Sequence, residues 1–371
     1  MIPKYVPILR AKKGEFDAYK ESSAITKRHT VPFFDIFKTP EKNKRYQNAH
    51  QPTMLYFNDI AADINDAVEH RDIIIDISRW APNSTIENGE HILGYIYDTL
   101  SRKGTHVIPT IGYERWEDEE YRTVLEGLSE RTTDFCIRLE SYAFEDMVEE
   151  DHFHDIINDI ISSLNLDCTR CCVVLDLADI TKESITNIQE KIERSVKSLK
   201  KYNFKYISIA GCSVTTVINS MVPSENSTGL VIRKEWMAWK IVRSDNPTIS
   251  LIFGDYGMVN PQQTDGVIAP DANGKIRHTI KDKLFVLRGY SRRKGEKGAQ
   301  MHSLCHELIN SPHYISPSFS WGDEIITKCS DKKFKGNPTQ WISIDTNHHM
   351  TFAVQEIIEF ELNTLTQPVH A

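Results

Sequence analysis

Short runs of β-branched and other apolar residues alternate with longer helical patterns about eight times before residue 255, and this rhythm constrains the fold more than any other feature. The expected strands are Tyr5–Leu9, Val31–Phe37, Asp72–Ser78, Thr105–Ile111, Asp134–Glu140, Cys171–Leu177, Phe204–Ala210 and Thr248–Gly254. Each is apolar at successive positions, as a parallel strand buried on both faces requires. Between them the expected helices are Glu15–Ser23, Ile60–Glu69, Glu87–Arg102, Glu117–Arg131, Asp151–Leu164, Thr181–Tyr202 and Ser227–Arg243.

Regular strand–helix alternation admits an open doubly wound sheet or a closed barrel. An open sheet of that kind usually carries a Gly-rich phosphate turn after its first strand. Here that strand is followed by Arg10-Ala11-Lys12-Lys13-Gly14-Glu15, and neither G-x-G-x-x-G nor a Walker A sequence occurs. The reading is therefore α/β, a (β/α)8 TIM-like barrel over residues 1–257, since such barrels run to about 250 residues as one unit. Beyond it the pattern changes. Val259–Lys275 is rich in Pro, Gly, Asn, Gln and Asp and reads as a loop. A β-like run at Lys283–Tyr290, a helix at Gly298–Asn310, a strand at Gln340–Thr346 and a closing helix at Met350–Leu362 complete an α+β appendage over residues 258–371.

The net charge of −8, from 44 basic and 52 acidic residues, argues against a protein that coats nucleic acid, because such affinity comes from neutralising phosphates. Seven cysteines in no regular framework do not suggest a disulfide scaffold. The start, MIPKYVPILRAKKGE, lacks the apolar core of a signal peptide. No run approaches the roughly 18 apolar residues of a membrane span. The expected setting is cytoplasmic, with no membrane partner.

In (β/α) barrels the working residues sit at the C-terminal strand ends. That rule selects Arg10 and Lys12 after the first strand, Asp35 on the second, Asp76 on the third and Glu114 after the fourth. Arg138 and Glu140 follow on the fifth, Asp176 and Asp179 on the sixth, and Asp255 and Tyr256 after the last. Charges inside apolar strands, such as Asp76 in IIIDIS, Arg138 in FCIRLE and Asp176 in VVLDLAD, are costly to bury unless paired. Two readings stay open: a structural ion network at the barrel top, or a polar pocket in which arginines grip an anion.

Metal motifs are weak. Cys168-x-x-Cys171-Cys172 has no second pair at zinc-ribbon spacing, and His302 and His306 at i, i+4 lack the internal Glu of H-E-x-x-H. Arg288, Arg292, Arg293, Lys294 and Lys297, with Gly295 and Gly298, form the densest basic stretch and suit a phosphate or nucleic-acid contact at a helix start. Trp341–His349 reads as a strand followed by a polar turn in which Asn347 caps the next helix, leaving His348 or His349 exposed as acid or base.

Five stretches taken together, YVPILRAKKGEFDAYK, VPFFDIF, FGDYG, FSWGDEII and TNHHM, resemble the phage-associated beta protein family. The resemblance spans nearly the whole chain and implies a barrel found in phages and in bacterial mobile or defence-associated loci; it implies no particular reaction. The matching positions are Arg10, Lys12, Glu15, Asp35, Asp255, Tyr256, Arg288, Trp321, Asp323, Asn347, His348 and His349. Asp35 departs from the pattern, being followed by Ile36-Phe37-Lys38 in place of a Pro-richer turn.

Two functions follow. One is a binding or sensing module in phage–bacterium conflict, in which Arg10, Lys12, Arg138 and Arg288 take a small anionic ligand, such as a nucleotide, or a partner protein. The other is a hydrolase, a divalent-metal phosphoesterase. Asp76 and Asp176 would hold a metal such as Mg²⁺ with Asp35 and Asp255, and His348 or His349 would serve as acid or base.

Overall fold

In the computed structural model, residues 2–40, 43–264, 272–291, 293–294 and 298–365 are described. Eleven strands form among them: β1 (Tyr5–Arg10), β2 (Phe33–Asp35), β3 (Ile73–Asp76), β4 (Val107–Gly112), β5 (Cys136–Leu139), β6 (Cys172–Asp179), β7 (Tyr206–Cys212), β8 (Ser227–Ile232), β9 (Leu251–Asp255), β10 (Asn273–Ile280) and β11 (Lys283–Ser291). Eight of them close a parallel barrel in the order β1-β2-β3-β4-β5-β6-β7-β9. The seam pairs Tyr5 with Phe253 and Pro7 with Asp255.

Alternation along each strand divides its residues between two cores. Ile8, Phe33, Ile74, Cys136, Val174, Ala210 and Ile252 fill the barrel. Their neighbours Leu9, Phe34, Ile75, Ile137, Leu175, Ile209 and Phe253 face the surrounding helices. Burial on both faces explains why these strands read as continuous apolar runs.

β8, β10 and β11 form a separate antiparallel sheet in the order β10-β11-β8. One face, with Leu284 and Val286, joins the barrel core at Cys212, Tyr256 and Met258, so the sheet lies across the C-terminal end of the barrel. The other face, with Ile276, Phe285 and Leu287, packs on helices Gln300–Ile309, Trp321–Ser330 and the head of Pro338–Leu365.

The long Pro338–Leu365 helix then runs down the outside of the barrel. Met350, Ala353, Val354 and Ile357 enter the outer core, and Phe360 packs against Trp236 and Trp239 of the Lys234–Asp245 helix. On its other side it contacts the Lys13–Lys20 helix. It thus fills the eighth helical place of the ring, although β9 lies far upstream.

Three local expectations are corrected. Ser227–Ile232, expected as the start of a helix, is a strand because its backbone pairs with β11 from Ser227↔Arg288 to Ile232↔Lys283. Gln340–Thr346, expected as a strand, is helical, and Asn347 stands inside that helix instead of capping it. The stretch from Ser343 to Met350 is buried on every side, which erases the one-sided pattern by which a helix is recognised. Part of the expected Val259–Lys275 loop is strand, since β10 begins at Asn273.

Candidate functional site

Register carries the charged residues to one level of the barrel. Arg10 pairs with Asp35, and Asp35 with Asp76, across β1, β2 and β3. All three share the inward parity of Ile8, Phe33 and Ile74. Arg138, inward on β5 beyond Cys136, reaches the centre. Its Nη1 donates to Asp35 Oδ1 and Asp76 Oδ2, both at 2.7 Å. Its Nη2 and Nε donate to Asp176 Oδ2 at 2.5 and 2.9 Å. Tyr256 completes the ring, its hydroxyl 2.6 Å from Asp176 and 3.3 Å from Arg138 Nη2. The Phe33 ring lies 5.2 Å from the guanidinium.

Arg138, Asp35, Asp76 and Asp176 are each at most 3% exposed. Burial alone would favour neutral carboxyls, but Arg115 and Arg138 outweigh it at Asp76 and hold that group below its usual range. Arg115 comes from the turn after β4, with Nη1 2.7 Å from Asp76 Oδ1. Gly112 makes room for it: a Cβ there would stand 2.2 Å from Arg115 Nε. Glu140 sits at the edge of the network, 3.6 Å from Arg138 Nε and 28% exposed. Burial, with Asp176 and Asp76 nearby, pushes its carboxyl up to about 7 against the pull of Arg138.

Above this layer lies the loop after β9. Arg10 Nη2 donates to the carbonyls of Asn260 and Gln263 at 2.8 and 2.9 Å, and Arg79 Nη2 to that of Pro261 at 3.1 Å. Arg10, Lys12 and Arg79 converge on the Phe37 ring, at 4.9, 4.6 and 5.1 Å from its centroid. The cationic rim is therefore Arg10, Lys12 and Arg79. Arg138 has given its donors to carboxylates, Ser78 and Tyr256. Arg288 lies on β11 and donates to the Val222 and Pro223 carbonyls at 2.8 and 2.5 Å, away from that rim. Of the basic stretch that follows it, Arg292, Gly295 and Lys297 lie outside the described residues.

The carboxylates do not converge on a common cation site here. Asp35, Asp76 and Asp176 meet around Arg138, whose guanidinium occupies the space between them. Asp255 has the opposite parity and points outward. Its Oδ1 accepts from the Tyr5 hydroxyl at 2.6 Å and the Gly257 amide at 2.8 Å, and its Oδ2 from His349 Nε2 at 2.7 Å. Burial opposes ionisation of Asp255, yet His349, Tyr5 and Arg233 hold it below the carboxylate range. His349 Nδ1 lies 2.7 Å from Thr279 Oγ1. This Asp–His–Thr line has the order of a nucleophile-activating relay, but Thr279 is fully buried. It serves packing between barrel and C-terminal helix.

His348 is likewise buried, between Asp323 and the Thr279 carbonyl, each at 2.8 Å. The expectation of exposed imidazoles on a turn is thus corrected. Asn347 bonds the Gly322 amide and the Ala18 carbonyl, both at 2.9 Å, tying three segments together. Glu15 is buried near Arg10 and Lys12, and burial pushes it up to about 7. Glu114 accepts from the Tyr142 amide and Asp179 from that of Thr181, so both act locally. Trp321 opens the Trp321–Ser330 helix. Cys171 and Cys172 are buried, and His302 bonds the Cys329 carbonyl while His306 is exposed.

Sequence reasoning missed Tyr5, Arg79, Arg115, Phe37 and Gly112. Gly112, a glycine closing a buried strand three residues before an arginine, was the readable signal; the others needed the tertiary fold.

Fold and site together define a (β/α)8 barrel whose mouth is filled by a buried arginine–carboxylate network and covered by a three-stranded sheet. The chain belongs to the Beta protein family, whose profile matches residues 5–355. No curated protein matches it in sequence. A solved structure, the N-terminal domain of an aldolase candidate from Bacteroides vulgatus, is similar at 10% identity and a TM-score of 0.35, over 97% of this chain and 98% of that one. A likeness of that degree carries nothing about activity. Among the described residues no helix is long and apolar enough to cross a membrane.

Proposed function

We propose that the protein is an anion-binding barrel module acting in phage–bacterium conflict, with a phosphate-bearing ligand such as a nucleotide taken at the barrel rim. The observation that carries this is the convergence of Arg10, Lys12 and Arg79 on Phe37. Although Arg79 Nε also lies 3.8 Å from Asp35 Oδ2, three cationic side chains gathered on one ring can give a phosphate several charge-assisted hydrogen bonds at once. The biological setting rests on the family resemblance. The network beneath is a rigid floor for that rim, because every carboxylate in it is held by a guanidinium.

The test is calorimetric titration of the full chain with nucleoside mono-, di- and triphosphates and with inorganic phosphate. Binding should weaken at least tenfold in Arg79→Ala and fall with added salt. If no phosphorylated compound binds at about 1 mM, a Kd worth only about −4 kcal/mol, the reading fails.

One observation favours a phosphoesterase as the second reading, although Arg138 fills the space in which Asp76 and Asp176 would hold its metal. Glu140 is part-exposed at the network edge with its carboxyl pushed up to about 7, suited to proton transfer at neutral pH. Hydrolysis of a nitrophenyl phosphodiester with Mg²⁺ or Mn²⁺, lost in Glu140→Gln, would favour it over the binding module.

A further inference from the structure

A second polar centre lies outside the barrel mouth, between the sheet and the helices packed on it. β10 turns His278 toward the helices, while Arg277 and Thr279 on either side face the barrel. The Trp321–Ser330 helix supplies Asp323 from its first turn, and the Pro338–Leu365 helix supplies His348. All three are at most 1% exposed. One donor atom from each lies within 4.8 Å of the other two, and among the described residues no other group of three or more His, Cys, Asp or Glu meets that limit.

The hydrogen bonds here are incomplete. One ring nitrogen of His278 has only the His313 backbone carbonyl for a partner, in poor geometry, the other has none, and Asp323 Oδ1 also lacks one. Buried polar atoms are nearly always satisfied, so an open His278 nitrogen beside an open Asp323 Oδ1 calls for a missing partner. His348 shows what that partner must be. Its Nε2 lies 2.8 Å from the Thr279 carbonyl, an acceptor, so Nε2 carries a proton. Nδ1 faces Asp323 Oδ2 at 2.8 Å. In the neutral ring that would set a lone pair against a carboxylate oxygen. Only a proton or a cation between them removes the repulsion.

We propose that His278, Asp323 and His348 bind a divalent transition-metal ion, of which zinc is the best fit. Two imidazoles and a carboxylate are a borderline-soft donor set that suits zinc and is poor for Mg²⁺ or Ca²⁺. The outer partners are also in place. The Thr279 carbonyl fixes the tautomer of His348, and the Ser320 hydroxyl donates to Asp323 Oδ2 at 2.6 Å. The His278 and His348 rings now stack at 3.7 Å with 20° between their planes. Ligand atoms around a tetrahedral ion stand about 3.3 Å apart for bonds of about 2.0–2.1 Å, and an imidazole ligates through a lone pair in its own plane, so loading requires the His278 ring to rotate out of the stack and Asp323 to draw back. Three protein ligands leave the fourth tetrahedral position to water or another small group, and the bound ion would tie β10 to both helices. The inference is independent of any ligand at the barrel rim.

The experiment is titration of the metal-stripped full chain with Co²⁺ and then Zn²⁺, followed by absorption, metal analysis and thermal unfolding. The expected result is one equivalent of Co²⁺ with ligand-field bands of low coordination number, displaced by Zn²⁺, and a raised melting temperature. Asp323→Asn and His278→Leu should each weaken uptake at least tenfold, while His302→Gln, beside the Cys329 thiol in the same layer, leaves it unchanged. A folded wild-type chain that takes up less than about a tenth of an equivalent overturns the proposal, whatever the variants do; it would mean that a protonated His348 simply pairs with Asp323. Equal uptake by wild type and both ligand variants overturns it as well.

Discussion

Replacing Arg138 with methionine removes the cation shared by Asp35, Asp76 and Asp176 while keeping much of the side-chain volume. The three carboxylates are then left at 0–3% exposure, with Arg115 still on Asp76 but no guanidinium on Asp176. Breaking a buried ion pair by removing one partner costs about 3–5 kcal/mol. For 371 residues the unfolding entropy near the midpoint is about 0.8 kcal/mol per kelvin, so the melting temperature should drop by about 4–6 °C. The sign of the pH dependence is a stricter check. In the wild type Asp76 titrates below its ordinary value, so its contribution is present above the unfolded pKa and is lost as the pH falls through the folded one. In the variant the orphaned carboxyls titrate above the unfolded value, so the folded state prefers them protonated and stability is lost as the pH rises. The gap between the two proteins should therefore be wide at pH 8 and narrow towards pH 5. Thermal melts at both pH values measure it. A gap under about 1 °C, or one that does not change with pH, would refute the description of Arg138 as the charge that holds the mouth together.

Gly112→Ala should expel Arg115 from Asp76, because the new Cβ would stand 2.2 Å from Arg115 Nε; the cost should be about 1–3 kcal/mol, and adding Arg115→Met should bring little further loss in a double-mutant melt. Glu140, raised to about 7, contributes stability that is present below its unfolded value and lost as the pH rises towards 7, so Glu140→Gln should flatten the stability profile between about pH 4.5 and 7 in urea titrations. Phe360→Ala should loosen the end of the Pro338–Leu365 helix from Trp236 and Trp239, costing about 2–3 kcal/mol for a partly buried ring, and should expose that end to limited proteolysis.

The barrel was legible because its strands are buried on both sides and its helices on one, two patterns that differ at short range. Ser227–Ile232 was not. Its exposure alternates between partial and full, and its strand conformation depends on pairing with β11, whose residues lie more than fifty positions downstream. Trp341–Thr346 misled in the opposite way, since β-branched residues beside polar ones imitate a strand when the helix is buried all round. In the site, Asp35, Asp76, Arg138 and Asp176 could be placed at one rim from strand ends alone, by the rule that also put Asp255 there. What could not be read was which donors were already committed. Asp255 sits one residue before an inward-facing tyrosine, so a single step of parity sends it to His349 on the far side of the barrel wall. No local signal marks that step.

The position of the Pro338–Leu365 helix has a consequence for synthesis. All eight barrel strands have left the ribosome once Asp255 has emerged, yet the groove between the Lys13–Lys20 and Lys234–Asp245 helices stays uncovered until Pro338–Leu365 follows, more than eighty residues later. During that interval Tyr5, Trp236 and Trp239, whose rings meet His349 and Phe360 of that helix, lack their apolar cover. The nascent barrel is then a substrate for chaperones, and a chain cut short by a premature stop would keep those rings uncovered and be recognised by proteases.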